Sequence, residues 1–114
     1  MHEKEYNGWA NYETWAVNLW MDQDYWAEET KEVVEACRAE KVSEHNTFTL
    51  DQRATLELAG LIKEMHEEGA DLALTESSCM KDLLSGALAE VNWLEIAEHL
   101  VDQYIEDTQD DLAV

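Results

Sequence analysis

Apolar residues recur along the chain at intervals of three and four, the spacing that keeps one side of an α-helix apolar. The longest series follows Asn92 and runs through Trp93, Ile96, Ala97, Leu100, Val101, Tyr104 and Ile105. It predicts a helix over about 93–107, opened by Asn92 with Glu95 three residues on, a variant of the capping box. Thr49 and Gln52 form a second capping box ahead of Leu50, Ala54, Leu58, Leu61, Ile62 and Met65, and Gly69 offers a C-terminal stop. Met80, Leu83, Leu84, Ala87, Leu88 and Val91 follow an N-cap at Ser77 or Ser78. Asp24 is placed to cap a helix from Tyr25 to about Lys41 that buries Trp26, Val33, Val34 and Cys37. Asn11 is placed to cap a shorter one carrying Tyr12, Trp15, Ala16, Leu19 and Trp20.

The prediction is an all-α fold, a compact bundle of about five helices. It forms a single domain over residues 1–114 with 108–114 as a flexible tail. Connections fall at 42–48 and 69–76; Thr47, Phe48 and Thr49 would suit a short strand, but no partner strand is evident. Proline is absent, and Asn7-Gly8 is the sole turn dipeptide of the strand-punctuating kind. The expected core includes Trp15, Trp20, Trp26, Leu58, Leu61, Leu84, Trp93, Leu100 and Tyr104.

Charge changes this picture from any helical bundle to an unusual one. The chain has 27 Asp or Glu against 7 Lys or Arg, a formal net charge of −20. Such a balance argues against direct binding of nucleic-acid phosphates or an anionic membrane. No apolar run approaches the roughly 18 residues of a membrane span. Met1–Tyr6 lacks the basic and apolar regions of a secretory signal. The two cysteines, Cys37 and Cys79, make no disulfide framework, so a reducing cytosol is expected.

The acids are unevenly placed. Beyond Lys81 there is no Lys or Arg, while Asp82, Glu90, Glu95, Glu98, Asp102, Glu106, Asp107, Asp110 and Asp111 all follow. Glu95, Glu98, Asp102 and Glu106 step by three, four and four, one stripe of the last helix, with Asp107 beside it. Glu28, Glu32 and Glu35 give a second acidic patch on an earlier helix. Like charges at i, i+4 destabilise a helix by roughly 0.2–0.5 kcal/mol per pair. A net charge magnitude of about 2–8 already keeps a small domain soluble. The excess is compatible with a solvated face that has no partner, and equally with a face that imitates nucleic acid. A globule of this length has a radius of gyration of roughly 13 Å and a diameter near 35 Å. Duplex DNA of about that length carries roughly 20 phosphate charges.

Half of the aromatic residues are Trp, and Trp9, Trp15, Trp20 and Trp26 crowd into one short region. Their reading as core competes with an aromatic surface that binds a partner. The run Gly8-Trp9-Ala10-Asn11-Tyr12-Glu13-Thr14-Trp15, together with Ala89-Glu90-Val91-Asn92-Trp93-Leu94-Glu95-Ile96-Ala97-Glu98-His99-Leu100, brackets most of the chain. It resembles a family of small acidic proteins of phages, plasmids and bacterial genomes with a Gly-Trp-x-Asn-Tyr-Glu-Thr-Trp signature. The resemblance implies a mobile-element context in the host cytosol. It carries no catalytic residues, because the family has no settled activity.

Enzyme chemistry finds no support among the motifs. The glycines are isolated, so no phosphate loop occurs, and neither HExxH nor paired Glu-x-x-His is present. Glu95 and His99 share a helix face, where a hydrogen bond is favoured over a metal site. Cys37 falls on an apolar face; Cys79 sits near a helix start with no His or Asp partner beside it. No catalytic residue, metal or cofactor is therefore expected.

The function expected is an acidic protein-binding inhibitor, a DNA mimic from a mobile element that blocks a host defence nuclease or another basic DNA-binding protein. The partner-binding residues would be Glu95, Glu98, Asp102, Glu106 and Asp107, with Glu28, Glu32 and Glu35. The alternative is an antitoxin-like or adaptor protein that holds one basic partner through a hydrophobic patch; a third is a replication or transcription accessory. A homodimer would lengthen the acidic surface but must overcome the repulsion of twenty charges per chain.

Overall fold

Five helices follow one another, as the periodicity predicts: α1 (Tyr12–Trp20), α2 (Gln23–Ala39), α3 (Leu50–Ala73), α4 (Cys79–Ala89) and α5 (Trp93–Leu112). The computed structural model describes residues 6–39, 49–76 and 78–112, the last four as backbone alone. The expected 42–48 connection, the Thr47–Phe48 extension and the end of the second helix at Lys41 lie outside the described residues. Among the described residues there is no strand beyond one antiparallel bridge between Tyr6 and Trp9.

Each helix start follows from a side chain able to satisfy orphan N–H groups. Asn11 accepts from the Thr14 N–H at 2.9 Å. Thr49 and Gln52 close the capping box in both directions, at 3.0 and 2.9 Å. Ser78 accepts from Lys81 N–H, and Asn92 from Glu95 N–H. The cap of α2 departs from expectation: Asp22, not Asp24, accepts from the Tyr25 N–H at 3.1 Å. Asp24 then lies in the first turn, where its charge favours the positive end of the helix dipole.

Two helices run longer than their signals. α3 passes through Gly69 to Ala73, and α5 continues past residue 107 to Leu112. Gly69 needs no left-handed conformation, and a β-carbon built there meets nothing within 4 Å. Gly69→Ala should therefore stabilise the protein by about 0.5–1 kcal/mol, read as a higher urea midpoint. An unchanged or lower midpoint would mean that α3 breaks at Gly69 in solution.

α2, α3 and α5 pack on one another, while α4 leans on α3 and α1 on α5. The core between them holds Leu58 and Ile62 of α3, Trp26, Val34 and Cys37 of α2, and Ile96, Ala97, Leu100 and Val101 of α5. Leu61, Trp93 and Tyr104 pack partly buried against it, as does Trp9. Trp15 and Leu84 are half-buried. The body is longer than a compact globule, with extents of 51 × 30 × 29 Å and a radius of gyration of 16.1 Å.

The expected core position of Trp20 is overturned: it is 86% exposed. α1 is turned over relative to the sequence prediction. Its apolar side, with Tyr12, Leu19 and Trp20, faces solvent, and its inner side holds Thr14, Val17 and Asn18. Polar bonds explain the orientation. The buried Thr14 hydroxyl donates to Asn11 Oδ1 at 2.6 Å and accepts from the Asn92 N–H at 2.8 Å. Asn11 Nδ2 donates to the Glu90 carbonyl at 2.7 Å. Direct hydrogen bonds to the α4–α5 junction thus tie down a helix that buries little apolar surface.

Candidate functional site

The acidic row of α5 is the feature to build from. Glu98, Asp102 and Glu106 project from the exposed side of the helix at intervals of one turn. Among the described residues no basic side chain pairs with any of the three. Asp107 is exposed beside them and accepts from Gln103 Nε2 at 2.9 Å.

Glu95, the expected first member of the stripe, does not belong to this surface. It is only 5% exposed. Its position on α5 does point outward by helical spacing, but the chain segment before α1 crosses over it. That crossing begins at Asn7-Gly8, whose positive φ values of 51° and 93° make the tight turn that bridges Tyr6 and Trp9. Ala10 N–H then donates to Glu95 Oε1 at 3.0 Å. One turn later the Trp9 ring lies on His99, with centroids 4.2 Å apart. His99, which the sequence offers as a partner for Glu95, thus stacks on an indole.

A groove of about 340 Å³ runs between α3 and α5 beside the acidic row. Leu56, Leu94, Val101 and Ile105 contribute apolar surface to it, and Glu98 and Asp102 stand along its α5 side. Asp51 lines the α3 side, but Arg38 already holds its carboxylate through two hydrogen bonds, at 3.0 and 3.1 Å. The free carboxylates of the groove are therefore those of α5. The sequence reading overlooks this groove; Leu94 and Ile105, apolar at the border of an acidic stripe, were its available signal.

The second acidic patch is exposed as expected. Glu28, Glu32 and Glu35 all lie on the solvent side of α2. Glu35 is tied to α5, accepting from the Tyr104 hydroxyl at 3.2 Å. Burial and this neighbouring carboxylate hold the Tyr104 phenol above its usual pKa. A second groove of about 400 Å³, lined by Asp24, Ala27, Gln103, Tyr104 and Asp107 among others, separates α2 from α5. The α5 ridge therefore divides two grooves, one with an apolar floor and one of mixed polar and apolar lining.

Nothing assembles into a metal centre: among the described residues no three His, Cys, Asp or Glu are grouped to hold an ion. Cys37 is buried with its Sγ 3.4 Å from Glu57 Oε2, and Cys79 is exposed at the start of α4. No described helix is long and apolar enough to cross a membrane.

The polar clasp also explains why the two outer sequence motifs occur together. Gly8 makes the turn, Trp9 and Ala10 engage His99 and Glu95, and Asn11 and Thr14 engage Glu90 and Asn92. A family model spanning residues 2–110 matches the whole of this arrangement. The chain belongs to DUF7249, a family of unknown function. Comparison with curated proteins and with solved structures finds no match. Gly8, Trp9, Asn11 and Thr14 are thus residues of the fold, and the exposed carboxylates stand apart from them.

Proposed function

We propose that the protein is an acidic inhibitor that works by occupying a basic partner, as a DNA mimic against a host defence nuclease or another DNA-binding protein. The observation that carries the reading is the exposed row Glu98, Asp102 and Glu106, paired with no basic side chain among the described residues and continued by Glu28, Glu32 and Glu35 on α2. Like charges one turn apart weaken α5, and lysines at any of these positions would have relieved the strain. A surface kept at that cost fits a cationic groove. The resemblance to small acidic proteins of phages and plasmids supports a mobile-element origin and action in the host cytosol.

The dimensions limit how close the imitation is. A duplex as long as the 51 Å body would carry roughly 30 phosphate charges, against a net charge of −20 here. Along α5 the carboxylates rise about 6 Å apart, nearly twice the 3.4 Å per phosphate of one DNA strand. The α5 row therefore needs the α2 patch to approach a nucleic-acid field. The apolar floor of the α3–α5 groove favours a second reading, an adaptor or antitoxin-like protein that seats one apolar residue of a basic partner beside Glu98 and Asp102.

Capture of partners from host lysate, with duplex DNA as competitor and washes at low and high salt, separates the two readings. The mimic is expected to retain a DNA-binding protein that leaves on adding DNA or salt. A partner that stays through high salt and ignores DNA would overturn mimicry in favour of the adaptor.

A further inference from the structure

We infer that the outward face of α1 is a self-association surface that pairs two copies of this chain. The inference stands apart from the acidic site and uses none of its residues. Tyr12, Leu19 and Trp20 are 52%, 57% and 86% exposed, and Tyr6, at 41%, sets its ring edge-on against Tyr12 with centroids 5.9 Å apart. The Trp15 ring lies 5.6 Å from Tyr12, and Ala16 sits between them and Trp20 on the helix. Leu72, Met80 and Leu83 of α3 and α4 are also exposed, at 80%, 65% and 63%, but Trp20 is the most exposed large apolar side chain among the described residues. The helix is not loose for want of burial, because the Asn11 and Thr14 hydrogen bonds hold it in this orientation.

Charge selects the occupant. A chain at −20 repels its own copy wherever carboxylates face each other. α1 carries one charged residue, Glu13, and Asp22 follows Trp20 at the edge of the patch. A basic partner would gain less from this weakly charged face and is drawn instead to α2 and α5. A second copy needs such a face, poorer in like charge than α2 or α5, with only Glu13 and Asp22 at its border. With aromatic side chains hiding about 150–250 Å² each, these exposures leave roughly 500 Å² of apolar surface per chain. Two copies face to face would cover about 1,000 Å², the lower bound of a specific interface. An antiparallel pair of α1 helices sets Tyr12 of one copy against Trp20 of the other, and the same contact repeats across the twofold axis.

Salt gives the surface its signature. Screening weakens repulsion between the acidic bodies and leaves the apolar contact intact, so dimerisation is expected to increase with ionic strength, opposite to capture of a basic partner. Sedimentation equilibrium on the full chain should show mass rising from 13.1 kDa toward twice that value. The rise should be large between about 0.1 M and 1 M salt, as the Debye length falls from ~10 to ~3 Å. Leu19→Lys with Trp20→Lys should return the mass to the monomer at every salt concentration. These two lysines lower the net negative charge, so general repulsion cannot account for that loss. Both sites are exposed, and the far-UV spectrum should be unchanged; Trp20→Ala offers a milder variant with the same expected direction. A wild-type chain that stays monomeric at high salt, or a double variant that still dimerises, would overturn the inference.

Discussion

Reversing Glu98, Asp102 and Glu106 to lysine is expected to lower affinity for a basic partner at least about fivefold while leaving the fold intact. Each exposed ion pair at an interface contributes about 0.2–1 kcal/mol. The triple variant removes three attractions and introduces three repulsions, so the loss sums to about 1–6 kcal/mol, from roughly fivefold to more than ten-thousandfold. Helicity should survive for a physical reason. The three side chains are exposed and pair with no basic side chain among the described residues, and lysines one turn apart repel no more than glutamates do. Titration of the partner captured from lysate, at fixed salt, reads the effect. Reversal of Glu28 and Glu32 is the companion experiment for α2. Unchanged affinity in the α5 variant would remove that surface from the binding site.

Glu95 must be left out of such a set. Its carboxylate accepts the Ala10 N–H inside the fold, so its reversal would damage the protein and mimic a loss of binding. The sequence groups it with its neighbours by spacing alone, and spacing is blind to a segment arriving from 85 residues away.

Thr14→Val is expected to destabilise the protein by about 1–2 kcal/mol, the cost of losing the hydroxyl's bonds and leaving the part-buried Asn92 N–H without its acceptor. The substitution preserves shape but removes the hydroxyl that bridges Asn11 Oδ1 and the Asn92 N–H. Thr14→Ser keeps the hydroxyl and loses one methyl, so its cost should stay near 0.8 kcal/mol. Glu95→Gln weakens the other end of the clasp, since hydrogen bonds to a carboxylate are about twice as strong as neutral ones. The two sites brace the same junction, and a Thr14→Val, Glu95→Gln double-mutant cycle should give a coupling of about 0.5 kcal/mol or more. Urea unfolding measures all four proteins. Thr14→Val at wild-type stability would show that the clasp does not hold α1. The face of α1 would then need another explanation.

Much of this protein was legible without tertiary structure because it is locally encoded. Asn11, Thr49, Ser78 and Asn92 act as caps through side-chain bonds to N–H groups three residues on, so their positions mark where four helices begin. Spacing of three and four likewise identifies Leu58, Ile62, Ile96, Ala97 and Leu100 as one buried set. The exposure of Glu98, Asp102 and Glu106 follows from their phase against that set. Asp22 and Asp24 were harder to separate, because both are acids near the same helix start.

What sequence alone determined is therefore the all-helical class, most helix starts, the central core and an acidic exposed row. Tertiary structure decided which face of α1 is outside, which glutamate is buried and where the chain leaves an apolar groove. The physical reason is the same in each case. An amphipathic pattern states that one side of a helix differs from the other, but only the partners of that helix decide which side is covered. In α1 two hydrogen bonds to residues about 80 positions away outweigh the apolar pattern, and Trp20 is left in water.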